Sequence, residues 1–263
     1  MTMVEGPMGF TVVLPTLNEA DSLPGLLDRL EAVARTHPSL DTQEVIVVDD
    51  GSTDGTLEFI SKWSAATHPF GIRVIRRKER HGPASAELEG IQASRSEVVV
   101  KLDADGQHPV ELIPRLVQEA SNGSDIAVAS RYCEGGGTNW APIRGLISRV
   151  ARLGSQLVLP PARPLSDPVS GFFAVRKRLT AGMDIFMPRY KLLLYILASN
   201  PDSRVTEIPF TMIDRETGRS KIIGTSFDYV IGFLVELGQY ARLSARPEGR
   251  RVKPRAEAQP VVD

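Results

Sequence analysis

Five short runs rich in Val and Ile alternate with helical patterns over the first 130 residues, and this alternation constrains the fold more than any other feature. The runs are 10–14, 45–48, 72–75, 98–102 and 126–129. Each is mostly apolar rather than apolar only at every second position, as expected of a strand covered on both faces. Between the first two, Leu23, Leu26, Leu27, Leu30 and Val33 recur at helical spacing, with Ser22 placed to cap the helix. Helices are expected at about 56–65, 84–94 and 109–121. The prediction is an α/β fold, a mostly parallel sheet flanked by helices.

In open parallel sheets, ligands bind beyond the carboxyl ends of the strands. The polar clusters fall there: Pro15 and Thr16 with Asn18 and Glu19 after the first run, Asp49 and Asp50 after the second, Asp103-Ala104-Asp105 after the fourth, and Arg131 after the fifth.

The second half is less regular. Gly135-Gly136-Gly137 reads as a flexible break. Residues 142–159 read as one or two amphipathic helices, with Ile143, Leu146, Ile147, Val150, Leu153, Leu157 and Val158 apolar and Arg144, Arg149 and Arg152 basic. A proline-rich turn follows (Pro160, Pro161, Pro164). Strands are expected at 171–175 and 204–208, and helices at about 191–199 and 226–243. Residues 1–243 are expected to form one domain. The polar, basic 244–263 segment shows no periodicity and is expected to be a disordered tail.

Thirty-one basic residues against thirty-two acidic ones leave a formal charge of −1, so nothing global favours nucleic acid. Anionic ligands must be met by local clusters. The single cysteine, Cys133, permits no disulfide framework within the chain. The first residues lack the basic start and apolar run of a secretory signal. The most apolar late stretch, 229–235, falls far short of the roughly 20 residues a spanning helix needs. A lipid-handling version of this chain would lie on a membrane or borrow an anchor.

Asp103 and Asp105, one residue apart beyond a buried strand, suit a hard cation, Mg²⁺ or Mn²⁺, with coordination positions left for phosphate oxygens. Gln107 offers a further oxygen at the next alternate position. Taken alone, Asp-x-Asp is a weak signal that recurs by chance and more often marks a surface turn. Asp50 is placed to accept hydrogen bonds from a base and Asp49 to hold the turn, while Glu19 either faces the ligand or braces its loop. Arg131, Arg144, Arg215 and Lys221 are cations suited to phosphate. The four histidines show no metal-ligand spacing, although His108 adjoins the acidic pair.

Taken together, the motifs resemble a known family. Leu14-Pro15-Thr16-Leu17-Asn18-Glu19, the stretch from Val47-Val48-Asp49-Asp50 to Thr56, and Asp103-Ala104-Asp105-Gly106-Gln107-His108-Pro109 occur in that order, as in family 2 glycosyltransferases of the GT-A fold. Ser130-Arg131-Tyr132, the triple glycine before Trp140, Arg144 with Ile147-Ser148-Arg149, Ser166-Asp167-Pro168-Val169-Ser170-Gly171-Phe172-Phe173, and Asp214-Arg215 with Gly218 and Ser220-Lys221 look like its dolichol-phosphate (polyprenyl-phosphate) mannose synthases.

The resemblance implies inverting transfer of mannose from GDP-mannose to a polyprenyl or dolichyl phosphate. It gives Pro15, Thr16, Asn18, Glu19, Asp50, Asp103 and Ala104 to the donor and Asp103, Asp105 and Gln107 to the metal. It gives Arg131, Arg144 and Ser148 to the acceptor phosphate, and Arg215 and Lys221 to the donor diphosphate. Asp105, Arg131, Arg215 and Lys221 would carry catalysis. Residues 140–160 would lie on the cytoplasmic face of a membrane, with an anchoring partner protein in place of the spans that many relatives carry. Two departures stand out: those absent spans, and Gly82-Pro83-Ala84 where relatives often have Gly-Leu-Gly. A UDP-glucose-dependent enzyme of the same fold and a non-catalytic nucleotide-sugar-binding subunit remain open alternatives.

Overall fold

The structure is a computed structural model that describes residues 8–140, 142–186, 190–212 and 227–245. The chain runs β1 (Met8–Thr16), α1 (Leu23–Thr36), β2 (Leu40–Asp49), α2 (Thr56–Trp63), β3 (Gly71–Arg76), α3 (Pro83–Ala93), β4 (Val98–Lys101), α4 (Ile113–Ser121) and β5 (Ile126–Ser130). It continues through β6 (Gly137–Thr138), α5 (Pro142–Val158), β7 (Phe173–Arg176), α6 (Leu192–Ser199), β8 (Val205–Pro209), β9 (Thr211–Met212) and α7 (Phe227–Ser244).

Seven strands form one sheet in the order β3-β2-β1-β4-β7-β5-β8. All neighbours are parallel except β7, which runs against both β4 and β5. The chain leaves β1 toward one edge and returns to β4 on its other side, so the strand order switches between these two strands. Side chains alternate across the sheet, as strand geometry requires. Val13, Ile46, Val48 and Val99 face α3, α6 and α7, while Val12, Leu14, Val45, Val47 and Val100 face α1 and α4. Helices thus cover both faces, which is why the central strands are largely apolar, with buried polar exceptions such as Thr11 and Lys101.

Gly90 on α3 lets that helix rest directly on the sheet, because a Cβ there would lie 2.5 Å from Val13 Cγ1. The carboxyl ends of β1, β2, β4, β5 and β8 share one edge with the start of the reversed β7. That edge collects the polar residues.

Several expectations need correction. Ser22 occupies the N-cap of α1 but makes no side-chain cap; its hydroxyl is spent elsewhere, as described below. Gly137 is not a break: it pairs with Thr211 in the two-stranded β6–β9 sheet. Residues 142–158 form one helix, and only 160–162 make a separate short 3₁₀ turn. Residues 110–112 likewise form a 3₁₀ turn before α4. The expected tail, from 246 onward, lies outside the described residues.

Candidate active site

The acidic turn follows β4. Lys101, the last residue of that strand, is buried, and its Nζ lies 2.8 Å from Glu87 Oε1 on α3 and 2.8 Å from Asp103 Oδ1. A buried ammonium is tolerated only when paired and hydrogen-bonded, and the two carboxylates satisfy that requirement. Asp103 Oδ2 faces His108 Nε2 at 3.3 Å, and the imidazole packs beside the Phe172 ring. Burial pushes the Asp103 carboxyl up, but Lys101 and His108 outweigh it and hold the group well below the usual range. Burial raises the Glu87 carboxyl, with Lys101 opposing. Gly171 closes over this cluster: a Cβ there would stand 3.4 Å from both Asp103 Oδ2 and Lys101 Nζ, leaving little room.

Asp105 belongs to the same turn, and its Oδ1 accepts the Gln107 backbone N–H at 3.1 Å. Asp103, Asp105 and Gln107 are all half-buried. No group of three His, Cys, Asp or Glu side chains converges among the described residues. Two carboxylates and one amide at a sheet edge fit a hard divalent cation that completes its shell with phosphate oxygens and water. They do not make a closed structural metal site.

The loop after β1 is knitted to the turn after β2. Asn18 Oδ1 accepts the Thr53 N–H at 2.8 Å, while its own N–H donates to Ser52 Oγ at 2.9 Å. The Glu19 N–H donates to Thr56 Oγ1, and Glu19 Oε2 accepts the Ser22 hydroxyl at 2.7 Å. The same hydroxyl reaches the Ala104 carbonyl at 3.1 Å, joining this loop to the acidic turn. Glu19 therefore braces its loop. Thr16 is buried, with its hydroxyl on the Leu14 carbonyl, and Pro15 is half-buried beside it. Asp49 holds its turn through the N–H groups of Gly51 and Ser52.

Asp50 is not a free carboxylate. Arg77 Nη1 donates to its Oδ1 at 2.8 Å, and Arg77 is itself fixed by Ser85 Oγ at 2.7 Å and Glu89 Oε2 at 3.0 Å.

Beyond β5, Arg131 Nε and Nη2 fork onto Asp167 at 2.7 and 2.8 Å, and the Arg131 backbone N–H reaches the same carboxylate at 3.1 Å. Asp167 is fully buried, and the Arg131 side chain is only 9% exposed. Burial works against the Arg131 charge, but the Asp167 bonds outweigh it and raise its pKa. Glu207 of β8 fixes the Asp167 loop by accepting the N–H groups of Ser166 and Asp167 at 2.7 and 2.8 Å. The Arg131 guanidinium also lies 4.9 Å from the Trp140 ring centroid and 5.4 Å from that of Tyr132. The Tyr132 hydroxyl donates to Ser148 Oγ at 3.0 Å, linking this cluster to α5. Lys191, before α6, joins the same electrostatic environment, its amine depressed by burial and by Arg131.

Arg131 and Ser148 are thus brought together. Arg144 lies one turn before Ser148 on α5, in a stretch whose side chains are not described. Arg215 and Lys221 lie outside the described residues.

The outward face of α5 is apolar. Leu146, Ile147, Val150, Leu153 and Leu157 are all exposed, as are Ile231, Leu234 and Val235 of α7. Apolar exposure on this scale marks an interaction surface. No helix among the described residues is long and apolar enough to cross a membrane.

A sheet with its strand switch, an acidic turn and the Arg131 guanidinium on one edge defines a GT-A-fold glycosyltransferase scaffold. Solved structures agree on the fold. Mannosyl-3-phosphoglycerate synthase from Rubrobacter xylanophilus superimposes with a TM-score of 0.65 at 19% identity, covering 92% of this chain and 76% of that one. A glucosyl-3-phosphoglycerate synthase from Mycobacterium tuberculosis, solved with Mn²⁺, UDP and glucosyl-3-phosphoglycerate, gives 0.63 at 22% identity, covering 92% and 82%.

The chain belongs to glycosyl transferase family 2, whose profile matches residues 11–181. Among its relatives, a dolichol-phosphate mannosyltransferase of Pyrococcus furiosus is 40% identical over 85% of this chain, which spans 62% of that relative's length. The enzyme of that name from Saccharomyces cerevisiae is 34% identical over 82% of this chain and 81% of its own. A polyprenol monophosphomannose synthase from Mycolicibacterium smegmatis is 31% identical over 88% of each.

Sequence reasoning gave no site role to Lys101, Glu87, Arg77 or Glu207. A lysine closing a Val-Val-Val strand was a visible oddity, because an unpaired ammonium cannot sit there. Its partner on α3 could be identified only from the fold.

Proposed function

We propose that this protein transfers mannose, with inversion, from GDP-mannose to a polyprenyl or dolichyl phosphate at a membrane surface. The observation that carries this reading is one shared sheet edge. It presents the Asp103–Asp105 turn, and beside it the Arg131–Tyr132–Ser148 cluster leads onto a helix with an exposed apolar face. The names of the relatives support mannose transfer and a polyprenyl-phosphate acceptor. The amphipathic α5 would lie in the interface with its apolar face toward lipid, and the cytoplasmic leaflet is the face proposed.

Asp103, Asp105 and Gln107 would hold Mg²⁺ or Mn²⁺. When bound, the ion supplies charge neutralisation to a departing nucleoside diphosphate. Pro15, Thr16 and the Asp50–Arg77 pair would line the nucleotide, and Arg215 and Lys221 would close over its phosphates. Arg131, with Arg144 and Ser148, would hold the acceptor phosphate. Its oxygen is already anionic near neutral pH, so the attack needs no general base. Catalysis then rests on orientation and electrostatic preorganisation. The rigid Asp167 fork on Arg131 serves both by fixing that cation before substrate arrives.

The test offers radiolabelled GDP-mannose and UDP-glucose in competition, with a short polyprenyl phosphate, with and without EDTA. EDTA-sensitive, GDP-mannose-selective formation of a lipid-linked mannose is expected. Transfer from UDP-glucose alone, or no loss with EDTA, would overturn the donor or the metal assignment respectively.

A further inference from the structure

We infer that Arg152 is a further cation of the acceptor-phosphate site, held in place by Tyr132; this rests on the acceptor reading above. Arg152 lies one helical turn beyond Ser148, so the two side chains share a face of α5. Its guanidinium sits 4.9 Å from the Tyr132 ring centroid, and the Tyr132 hydroxyl is the group that bonds Ser148. The same Tyr132 ring also has the Arg131 guanidinium beside it, 5.4 Å from the ring centroid. One tyrosine therefore aligns two guanidinium groups and one hydroxyl.

Both arginines are also referenced to one loop. Arg131 forks onto the Asp167 carboxylate, and Arg152 Nη1 reaches the carbonyl of Ser166 at 3.4 Å. Their charge balance differs. Arg131 is neutralised by Asp167, whereas among the described residues Arg152 has no carboxylate partner. Its Nε is shut away from solvent and meets no hydrogen-bond acceptor among the described residues.

The buried, unused donor of a half-buried guanidinium is costly for a purely structural residue, and the Tyr132 ring holds the charge in place by a cation–π contact. It suits a phosphate monoester, whose oxygens accept several charge-assisted bonds from an arginine fork. The position also suits a lipid headgroup. Leu153 and Leu157, on the outward face of α5, are 55% and 77% exposed, so Arg152 stands where a phosphate would emerge from an apolar chain lying on that face.

The experiment compares wild type with Arg152→Gln, Tyr132→Leu and Arg131→Gln, using a short, water-soluble polyprenyl phosphate. Initial rates give acceptor KM, donor KM and kcat separately. Trp140 fluorescence follows acceptor binding without turnover, and circular dichroism checks the fold. Arg152→Gln is expected to raise acceptor KM about 10- to 100-fold, the range of one lost charged hydrogen bond, while donor KM and kcat stay within about twofold. Arg152→Lys should recover part of the loss, and Tyr132→Leu should reproduce it.

An unchanged acceptor KM in folded Arg152→Gln, with Arg131→Gln impaired, would overturn this inference alone. Unchanged acceptor KM in both variants would sink the acceptor reading beneath it. If Arg152→Gln weakened sedimentation with phosphatidylglycerol vesicles but left the soluble-acceptor KM intact, the residue would serve bulk lipid phosphates, and the inference would fall.

Discussion

Lys101→Met tests the buried charge network behind the acidic turn. In the native protein the Lys101 side chain is 2% exposed and Glu87 is 8% exposed, with 2.8 Å between them. Removing the ammonium strands a buried carboxylate, and breaking such a pair costs about 3–5 kcal/mol. Asp103 adds little to that figure, because its side chain is 44% exposed and water screens it. For a chain of this size the loss corresponds to roughly 6–20 °C in Tm.

The double variant Lys101→Met, Glu87→Met removes both buried charges. Apolar replacement of a whole buried pair is often neutral or stabilising, so most of the loss should return. Urea unfolding followed by circular dichroism gives the free energies, and Mn²⁺ binding by EPR reports whether the acidic turn survives. A single variant destabilised by less than about 1 kcal/mol, or a double variant no more stable than the single one, would refute the reasoning.

Asp105→Ala should abolish turnover and Mn²⁺ binding while shifting Tm by no more than about 2 °C, since a half-buried turn residue costs little to remove; retained activity in Mn²⁺ would contradict the metal role. Arg77→Met should release Asp50 and raise donor KM about tenfold, with acceptor KM unchanged; calorimetry with GDP checks it. In EDTA, the stability difference between wild type and Asp103→Asn should follow pH. The Asp103 carboxyl is lowered in the folded state, so its contribution is complete above the ordinary value of 3.8 and disappears as pH falls below it toward the folded value. A difference that grew on acidification would contradict the Lys101–His108 assignment. Leu146→Ser with Leu153→Ser should weaken liposome co-sedimentation without changing rates on a soluble acceptor; undiminished sedimentation would remove α5 from the membrane surface.

Local patterns in the sequence found the strands of the first half, because a strand covered on both faces is largely apolar and needs no partner to be recognised. The acidic pair, Asp50 and Arg131 were legible as candidates because they directly follow such strands. The boundaries were less legible. β2 extends from Leu40, well before the apolar run, because ladder hydrogen bonds to β1 hold residues whose side chains carry no strand signal. The β6–β9 pairing escaped notice because it joins two dipeptides more than seventy residues apart.

By itself, then, the sequence determined the α/β class, the edge where chemistry gathers and the family to which the chain belongs. Those depend on short-range periodicity and contiguous motifs. Only the tertiary structure decided what each candidate charge is doing: Arg131 fixed by Asp167, Asp50 held by Arg77, Asp103 shared between Lys101 and His108. Electrostatic partnership depends on distance and burial in space, and residues 36 positions apart, such as Arg131 and Asp167, become neighbours only when the sheet closes.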